Sequence, residues 1–148
     1  MMGKNRIMRA LIVEDKPEDA HLLQSALQIS GFALELSTVS DGLEALAFLR
    51  QEGEFINAHR PDLILLDLLL PGMSGFEVLA ALKADKALCG IPVVAISPST
   101  INEDVLAAYQ GGVAGYLVKP ADADQFVATI HKLCQYWFNV VKLPESAV

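Results

Sequence analysis

Cysteine is scarce in this chain. Cys89 and Cys134 are the only two among 148 residues, and neither belongs to a C-x-x-C motif or to a histidine spacing suited to zinc. This scarcity argues against a disulfide-stabilised scaffold and against a structural zinc site. We therefore expect both residues to be reduced thiols.

Long apolar runs are also absent. No run approaches the about 18 residues that a membrane span requires. Lys4, Arg6 and Arg9 lead directly into a strand pattern, without the apolar segment and cleavage site of a signal peptide. We expect a soluble cytoplasmic protein that makes no membrane contact.

Basic residues are outnumbered by acidic ones. The chain has 11 Lys and Arg against 18 Asp and Glu, which gives a net charge of -7. Contacts to phosphate groups of DNA or RNA require a basic patch, and the sequence shows none. Nucleic acid is therefore not an expected partner.

What the sequence does contain is a regular alternation of strand and helix patterns. Short apolar segments predict strands at 7–14, 33–39, 62–67, 91–97 and 115–118. Helical spacing follows each of them, at 17–30, around 45–49, after 74, at 102–111 and from 122 to about 141. Ser74 and Glu77 have the spacing of a capping box at the start of the third helix.

Each connection between consecutive strands is long enough to hold a helix. This pattern predicts an α/β fold in which one parallel sheet is covered by helices on both faces. There is no repeat, linker or low-complexity segment. We expect a single domain over 1–148, with a core at about 7–138 and an extended C-terminal helix and tail at about 122–148.

The segment D-L-I-L-L-D-L-L-L, residues 62–70, is the most apolar in the chain and is followed by the turn signal P-G-M-S-G. Such a run predicts the buried central strand of a parallel sheet. Asp67 stands at its exit, where a carboxylate requires a cation or hydrogen-bond donors. A simple cap of the following loop is the structural alternative.

Polar side chains stand where the other predicted strands end. Since ligands bind at the carboxyl ends of such strands, these side chains should meet in one crevice. The set is Glu14, Asp15, Asp67, Ser97 and Lys119. Three converging carboxylates favour Mg²⁺, and a lysine and a hydroxyl suit a tetrahedral anion on Asp67. The pattern indicates phosphoryl transfer to a carboxylate, although a solvated loop pair also explains the two acidic residues that follow the first strand.

Together with Tyr116 and Pro120, these residues occur in an order and at spacings that resemble the receiver domain of two-component response regulators. The resemblance implies a flavodoxin-like strand order of 2-1-3-4-5. It implies that Asp67 accepts a phosphoryl group from a sensor histidine kinase. Mg²⁺ would be bound by Asp15, Asp67 and the backbone carbonyl of Leu69, and by Glu14 through water.

The same resemblance assigns roles to the remaining site residues. Lys119 would pair with the phosphorylated side chain, and Ser97 would turn toward the new oxygens while Tyr116 turns inward behind it. These movements would alter the surface formed by the fourth helix, fifth strand and fifth helix. The chain would not be an enzyme beyond its own phosphorylation and dephosphorylation.

Four segments indicate a particular subfamily of receiver domains. They are E-D-K-P-E-D, D-G-L-E-A-L-A-F-L, G-E-F-I-N-A-H-R-P-D and the W-F-x-x-V-x-L-P tail. They are similar to single-domain response regulators of cyanobacterial phytochrome kinases, which implies a phytochrome-like kinase as partner. The output would pass to a downstream histidine or to a target protein.

Two residues depart from the family pattern. Pro98 follows Ser97 and has no N–H to donate to a phosphoryl group. Leu69 stands two residues past Asp67, where a polar side chain would position water, so slow self-dephosphorylation is expected. Pro98 supports an alternative function, a receiver-fold binding module with little or no switching, whereas Leu69 argues against an aspartyl phosphatase of another fold.

The last helix carries two adjacent apolar stripes at helical spacing. One contains Phe126, Ile130, Leu133 and Trp137, and the other contains Val127, Cys134, Phe138 and Val141. The sheet covers only one stripe, so we expect the other, with Trp137, Phe138 and the tail near Leu143, to be exposed. This predicts a homodimer that uses the fourth helix, fifth strand and fifth helix. Burial of the second stripe by the tail is the alternative.

Overall fold

The computed structural model describes residues 6–145 and contains one five-stranded parallel sheet in the order β2-β1-β3-β4-β5. The strands are β1 (Met8–Val13), β2 (Leu34–Val39), β3 (Leu63–Asp67), β4 (Val93–Ser97) and β5 (Gly115–Val118). The helices are α1 (Pro17–Gln28), α2 (Gly42–Leu49), α3 (Gly75–Ala84), α4 (Asn102–Gly111) and α5 (Ala123–Gln135). The predicted fold class and strand order are confirmed.

Alternating side chains of the central strands pack against two helical layers. Ile64 and Leu66 of β3 face a core that includes residues of α2, α3 and α4. Leu63 and Leu65 face the other core, with residues of α1 and α5. This two-sided burial explains why β3 reads as a continuous apolar run rather than as an alternating one.

The start of α3 is fixed close to the exit of β3. The Ser74 side chain accepts a hydrogen bond from the Glu77 amide, and the Glu77 carboxylate accepts one from the Ser74 amide, which confirms the capping box. A Cβ atom on Gly75 would collide with the backbone of Asp67 and Leu68. Glycine is therefore required there, because α3 begins against the end of β3.

The extended C-terminal helix is confirmed, since helical structure continues from Ala123 to Val140 with a change of helix type in its last turn. The α-helical pattern ends at Gln135 and continues as a π-helical turn, Tyr136–Val140, in which the Val141 amide donates to the Tyr136 carbonyl at 3.0 Å. The predicted exposure is wrong for Leu143, which is buried, whereas Trp137 and Phe138 are half-buried.

Both apolar stripes of the last helix are packed. Cys134 and Leu143 are buried, and the ring of Phe138 packs edge-to-face on Phe32 at 5.9 Å between centroids. Phe138 and Trp137 pack against the same core as Phe32, which the helix pattern alone does not show. The exposed apolar residues of the segment are instead Tyr136 and Val140.

The tail is held at the amino end of the sheet. The Arg6 guanidinium forms an ion pair with Asp62 and donates to the Pro144 carbonyl at 3.3 Å. Within residues 6–145, no helix combines the length and the apolar character needed to span a membrane.

Candidate functional site

The strand register brings the predicted site residues to one edge of the sheet. Val13 is paired with Leu66, so the residues that follow, Glu14 and Asp67, lie side by side. Ser97 is paired with Val118, so Lys119 follows β5 beside the end of β4. The backbone places all five predicted polar residues at the carboxyl edge, where parallel sheets bind ligands.

Asp67 is buried at the end of β3, with 3% of its surface exposed. Its Oδ1 atom accepts a hydrogen bond from the Leu69 amide at 2.9 Å. Its Oδ2 atom lies 3.5 Å from the Lys119 ammonium. The carboxylate therefore caps the following loop, as the structural alternative predicted, and it also contacts a cation, which a loop cap does not require.

An acidic cluster surrounds this carboxylate. Glu14, Asp15 and Asp67 each contribute an oxygen that lies within 4.8 Å of the others. Among the described residues, the Oδ1 atom of Asp15 is the buried side-chain polar atom that has no hydrogen-bond partner. An unpaired buried oxygen and three adjacent carboxylates are both unfavourable without a cation. Hard oxygen ligands of this kind fit Mg²⁺.

Lys119 is the cation that contacts this cluster. Its Nζ atom donates to Glu14 Oε1 at 2.6 Å, to Asp19 Oδ2 at 3.1 Å and to Asp67 Oδ2 at 3.5 Å. Only 14% of the lysine side chain is exposed. The ammonium thus neutralises part of the acidic charge at the edge of the sheet.

Burial and charge shift the pKa values of this pair. The pKa of Glu14 is raised to about 7, because burial and the neighbouring Asp67 both raise it and Lys119 only partly opposes them. For Lys119, burial lowers the pKa, but the hydrogen bond to Glu14 and the negative charge of Asp67 outweigh it, so the net change is upward. The lysine therefore remains a cation at neutral pH.

The predicted switch residues are linked through Ser99. Ser97 is buried, and its Oγ atom accepts a hydrogen bond from the Ser99 amide at 3.2 Å. Pro98 between them is exposed and has no amide hydrogen. Tyr116 is half-buried against the core, and its hydroxyl donates to the Ser99 carbonyl at 2.9 Å.

The Leu69 side chain projects outward, with 56% of its surface exposed. Its amide contacts Asp67, whereas the proposed role of its carbonyl as a metal ligand remains a prediction.

Two residues at this edge were not predicted from the sequence, namely Asp19 and Ser99. Asp19 closes the E-D-K-P-E-D segment and reaches Lys119 from the first turn of α1. The available signal was an acidic residue four positions past Asp15. Because α1 begins between the two, this residue lies in the first turn of the helix, close to the end of β1. No comparable signal marked Ser99, whose hydrogen bonds depend on a loop conformation.

A family model described as "Response regulator receiver domain" matches residues 10–131. The chain belongs to this family. A curated relative, response regulator Rcp1 of Synechocystis sp., is 42% identical over 136 residues, which cover 92% of each protein. Membership makes this receiver domain a phosphoacceptor of a two-component system rather than a conventional enzyme, and it implies a cognate histidine kinase.

Solved structures agree with this assignment. The phosphorylated cyanobacterial phytochrome response regulator RcpA has a TM-score of 0.91 and 43% identity, covering 95% of this receiver domain and all of RcpA. The Mn²⁺-bound form of Rcp1 has a TM-score of 0.88 and 40% identity, covering 93% and 99%. The receiver domain is thus homologous to phytochrome response regulators, one of which was solved with a divalent metal.

Proposed function

We propose that Asp67 accepts a phosphoryl group from a phytochrome-like sensor histidine kinase. The observation that carries this proposal is the position of the buried Asp67 carboxylate beside the Lys119 ammonium and within a cluster that contains two further carboxylates. An Asp67 oxygen would attack phosphorus as the nitrogen–phosphorus bond of the kinase phosphohistidine breaks, and the histidine nitrogen would leave with the bonding electrons. The similarity to RcpA and Rcp1 supports the choice of kinase.

In this proposal, Glu14, Asp15, Asp67 and the Leu69 carbonyl hold Mg²⁺. When bound, the ion supplies positive charge that offsets the repulsion between the carboxylates and the incoming phosphoryl oxygens. Asp67 is oriented by the Leu69 amide, and Lys119 is positioned to pair with the new phosphoryl oxygens. The reaction would take place in the cytoplasm.

The response would pass through Ser97 and Tyr116. If the Ser97 hydroxyl turns to the phosphoryl group, it releases the Ser99 amide, and the Tyr116 contact with the same residue is then altered. Because Ser99 also donates to Asp104 in the first turn of α4 at 2.5 Å, the change would reach that helix. The output would go to a target protein or to a second histidine.

The surface affected by this change is also the proposed homodimer interface. Exposed apolar residues lie on α4, on β5 and at the end of α5, namely Leu106, Tyr109, Val118 and Tyr136. Of these, Tyr109 and Tyr136 line a groove of about 510 Å³ between α4 and α5. Light scattering over a concentration series, with and without acetyl phosphate, should show dimers, and monomers throughout would exclude this interface.

Phosphotransfer tests the main proposal. A phytochrome-like histidine kinase that carries a labelled phosphoryl group should transfer the label to the wild type in the presence of Mg²⁺ and should not transfer it to Asp67→Asn. Asp62→Asn is a control, because Asp62 lies at the opposite end of β3. Transfer to Asp67→Asn at the wild-type rate would reject Asp67 as acceptor.

A second candidate function is a receiver-fold binding module with little or no switching, and Pro98 favours it. Such a module would bind its partner equally well as wild type and as Asp67→Asn, with or without acetyl phosphate. A change in partner affinity on phosphorylation would exclude it.

A further inference from the structure

Lys119 has three carboxylate partners, and one of them stands apart from the acidic cluster. Glu14 and Asp67 belong to the cluster and are almost fully buried, with 2% and 3% of their side chains exposed. Asp19 lies on α1, is 40% exposed, and is not part of the group of oxygens that fits a metal ion. Lys119 therefore bridges the candidate metal site and a carboxylate outside it.

The Lys119 ammonium and a divalent cation would compete for the same oxygens. The ammonium contacts Glu14 at 2.6 Å and Asp67 at 3.5 Å, and both residues are candidate ligands of Mg²⁺. A cation at these carboxylates repels the ammonium and takes over part of its electrostatic role. Binding is then easier if the displaced ammonium, which is largely buried, keeps an anionic partner.

Asp19 is placed to be that partner. Its Oδ2 atom is already 3.1 Å from the lysine nitrogen. A cavity of about 40 Å³ lies on the same side, and its lining includes Glu14, Asp19, Lys119 and the apolar side chains of Leu22 and Phe126. The ammonium can therefore move from Glu14 toward Asp19 without displacing a packed side chain.

We propose that Asp19 is a positioning residue that holds the Lys119 ammonium when Mg²⁺ occupies the acidic cluster. This inference rests on the proposed function, since it assumes the metal site. Asp19 does not ligate the ion. It raises the affinity for Mg²⁺ by acting through Lys119.

The inference is tested by isothermal titration calorimetry, in which MgCl₂ alone is added to the metal-free protein and the affinity for Mg²⁺ is measured. Asp19→Asn should weaken Mg²⁺ binding by about three- to ten-fold, the range expected for a charge-assisted hydrogen bond that is partly exposed. Asp19→Glu, which keeps the charge, should restore most of the affinity. Glu18→Gln is the matched control, because it removes the same charge from an exposed neighbour in the first turn of α1.

A double-mutant cycle separates the action through Lys119 from a direct effect of charge. In a Lys119→Met background, Asp19→Asn should change Mg²⁺ affinity no more than Glu18→Gln does. Thermal unfolding of each variant in EDTA identifies any that fail to fold, and Asp19→Glu supplies the comparison if Asp19→Asn is unstable.

Two results would overturn the inference while leaving the metal site intact. They are an equal effect of Asp19→Asn and Glu18→Gln, and an undiminished effect of Asp19→Asn in the Lys119→Met background. Failure of the wild type to bind Mg²⁺, or binding unchanged by Asp15→Asn, would instead overturn the metal site of the proposed function and the inference with it.

Discussion

The Tyr116 hydroxyl donates a 2.9 Å hydrogen bond to the backbone carbonyl of Ser99. This bond joins β5 to the loop between β4 and α4, and the same serine donates its amide hydrogen to Ser97. The ring that was expected to turn inward on phosphorylation is thus already half-buried, and it is bonded to the loop that follows the candidate phosphoryl-sensing hydroxyl.

Tyr116→Phe removes this bond and keeps the ring. Because a hydrogen bond of this type contributes about 0.5–1.5 kcal/mol, the free energy of unfolding should fall by that amount in urea denaturation. Amide hydrogen exchange at residues 99–101 should become faster. Tyr136→Phe, at an exposed tyrosine, should change neither quantity, and an equal response of the two variants would contradict the assigned role.

The absence of an amide hydrogen at Pro98 predicts weak stabilisation of the phosphoryl group. Pro98→Ala restores one donor at the end of β4, worth about 1–3 kcal/mol to a bound anion. The equilibrium constant for phosphorylation by acetyl phosphate, obtained from the phosphorylated fraction in intact-protein mass spectra, should therefore rise by about five- to 150-fold. Pro71→Ala controls for the general effect of removing a proline. Identical fractions for wild type and Pro98→Ala would show that the missing donor has no role.

The exposed Leu69 side chain predicts a long-lived acyl phosphate at Asp67. Leu69→Asn provides a polar group that can position water, and it should shorten the phosphoryl lifetime by about ten-fold or more. The decay of phosphorylated protein after removal of acetyl phosphate gives this lifetime. Leu43→Asn, at an exposed leucine of α2, is the matched control. Rapid decay in the wild type, on the scale of seconds, would contradict the prediction.

The two cysteines should differ in reactivity. Burial raises the pKa of the Cys134 thiol, so little thiolate forms there at neutral or mildly alkaline pH. Cys89 is exposed at the surface. Iodoacetamide at pH 8 should modify Cys89 alone in the native protein and both residues in urea, as peptide mass mapping would show. Equal labelling in the native state would mean that α5 does not pack as described.

Much of this fold follows from local sequence signals. The bounds of β5, the capping box at Ser74 and the buried character of β3 were all predictable, because each depends on neighbouring residues. The convergence of Glu14, Asp67 and Lys119 was also predictable, because the carboxyl ends of parallel strands lie at one edge of the sheet, whereas the strand order came from the family resemblance.

Other features depend on contacts between distant segments. The cover of Phe138 comes from Phe32, and the burial of Leu143 accompanies a tail that is tied down by Arg6. Helical spacing identified two apolar stripes but gave no information about this cover. The ion pair of Asp19 with Lys119 likewise depends on the relative position of α1 and β5, which the spacing of residues within one segment does not determine.

The most direct test of the central claim is to locate the phosphoryl group chemically. The protein is incubated with acetyl phosphate and Mg²⁺, reduced with borohydride, which converts an aspartyl phosphate to homoserine, and mapped by peptide mass spectrometry. We predict homoserine at position 67 in the wild type and none when EDTA replaces Mg²⁺. In Lys119→Ala, we predict at most a small fraction of the wild-type amount. Homoserine at another aspartate, or a folded wild type that remains unmodified at position 67, would contradict the assignment of Asp67 as the phosphoacceptor.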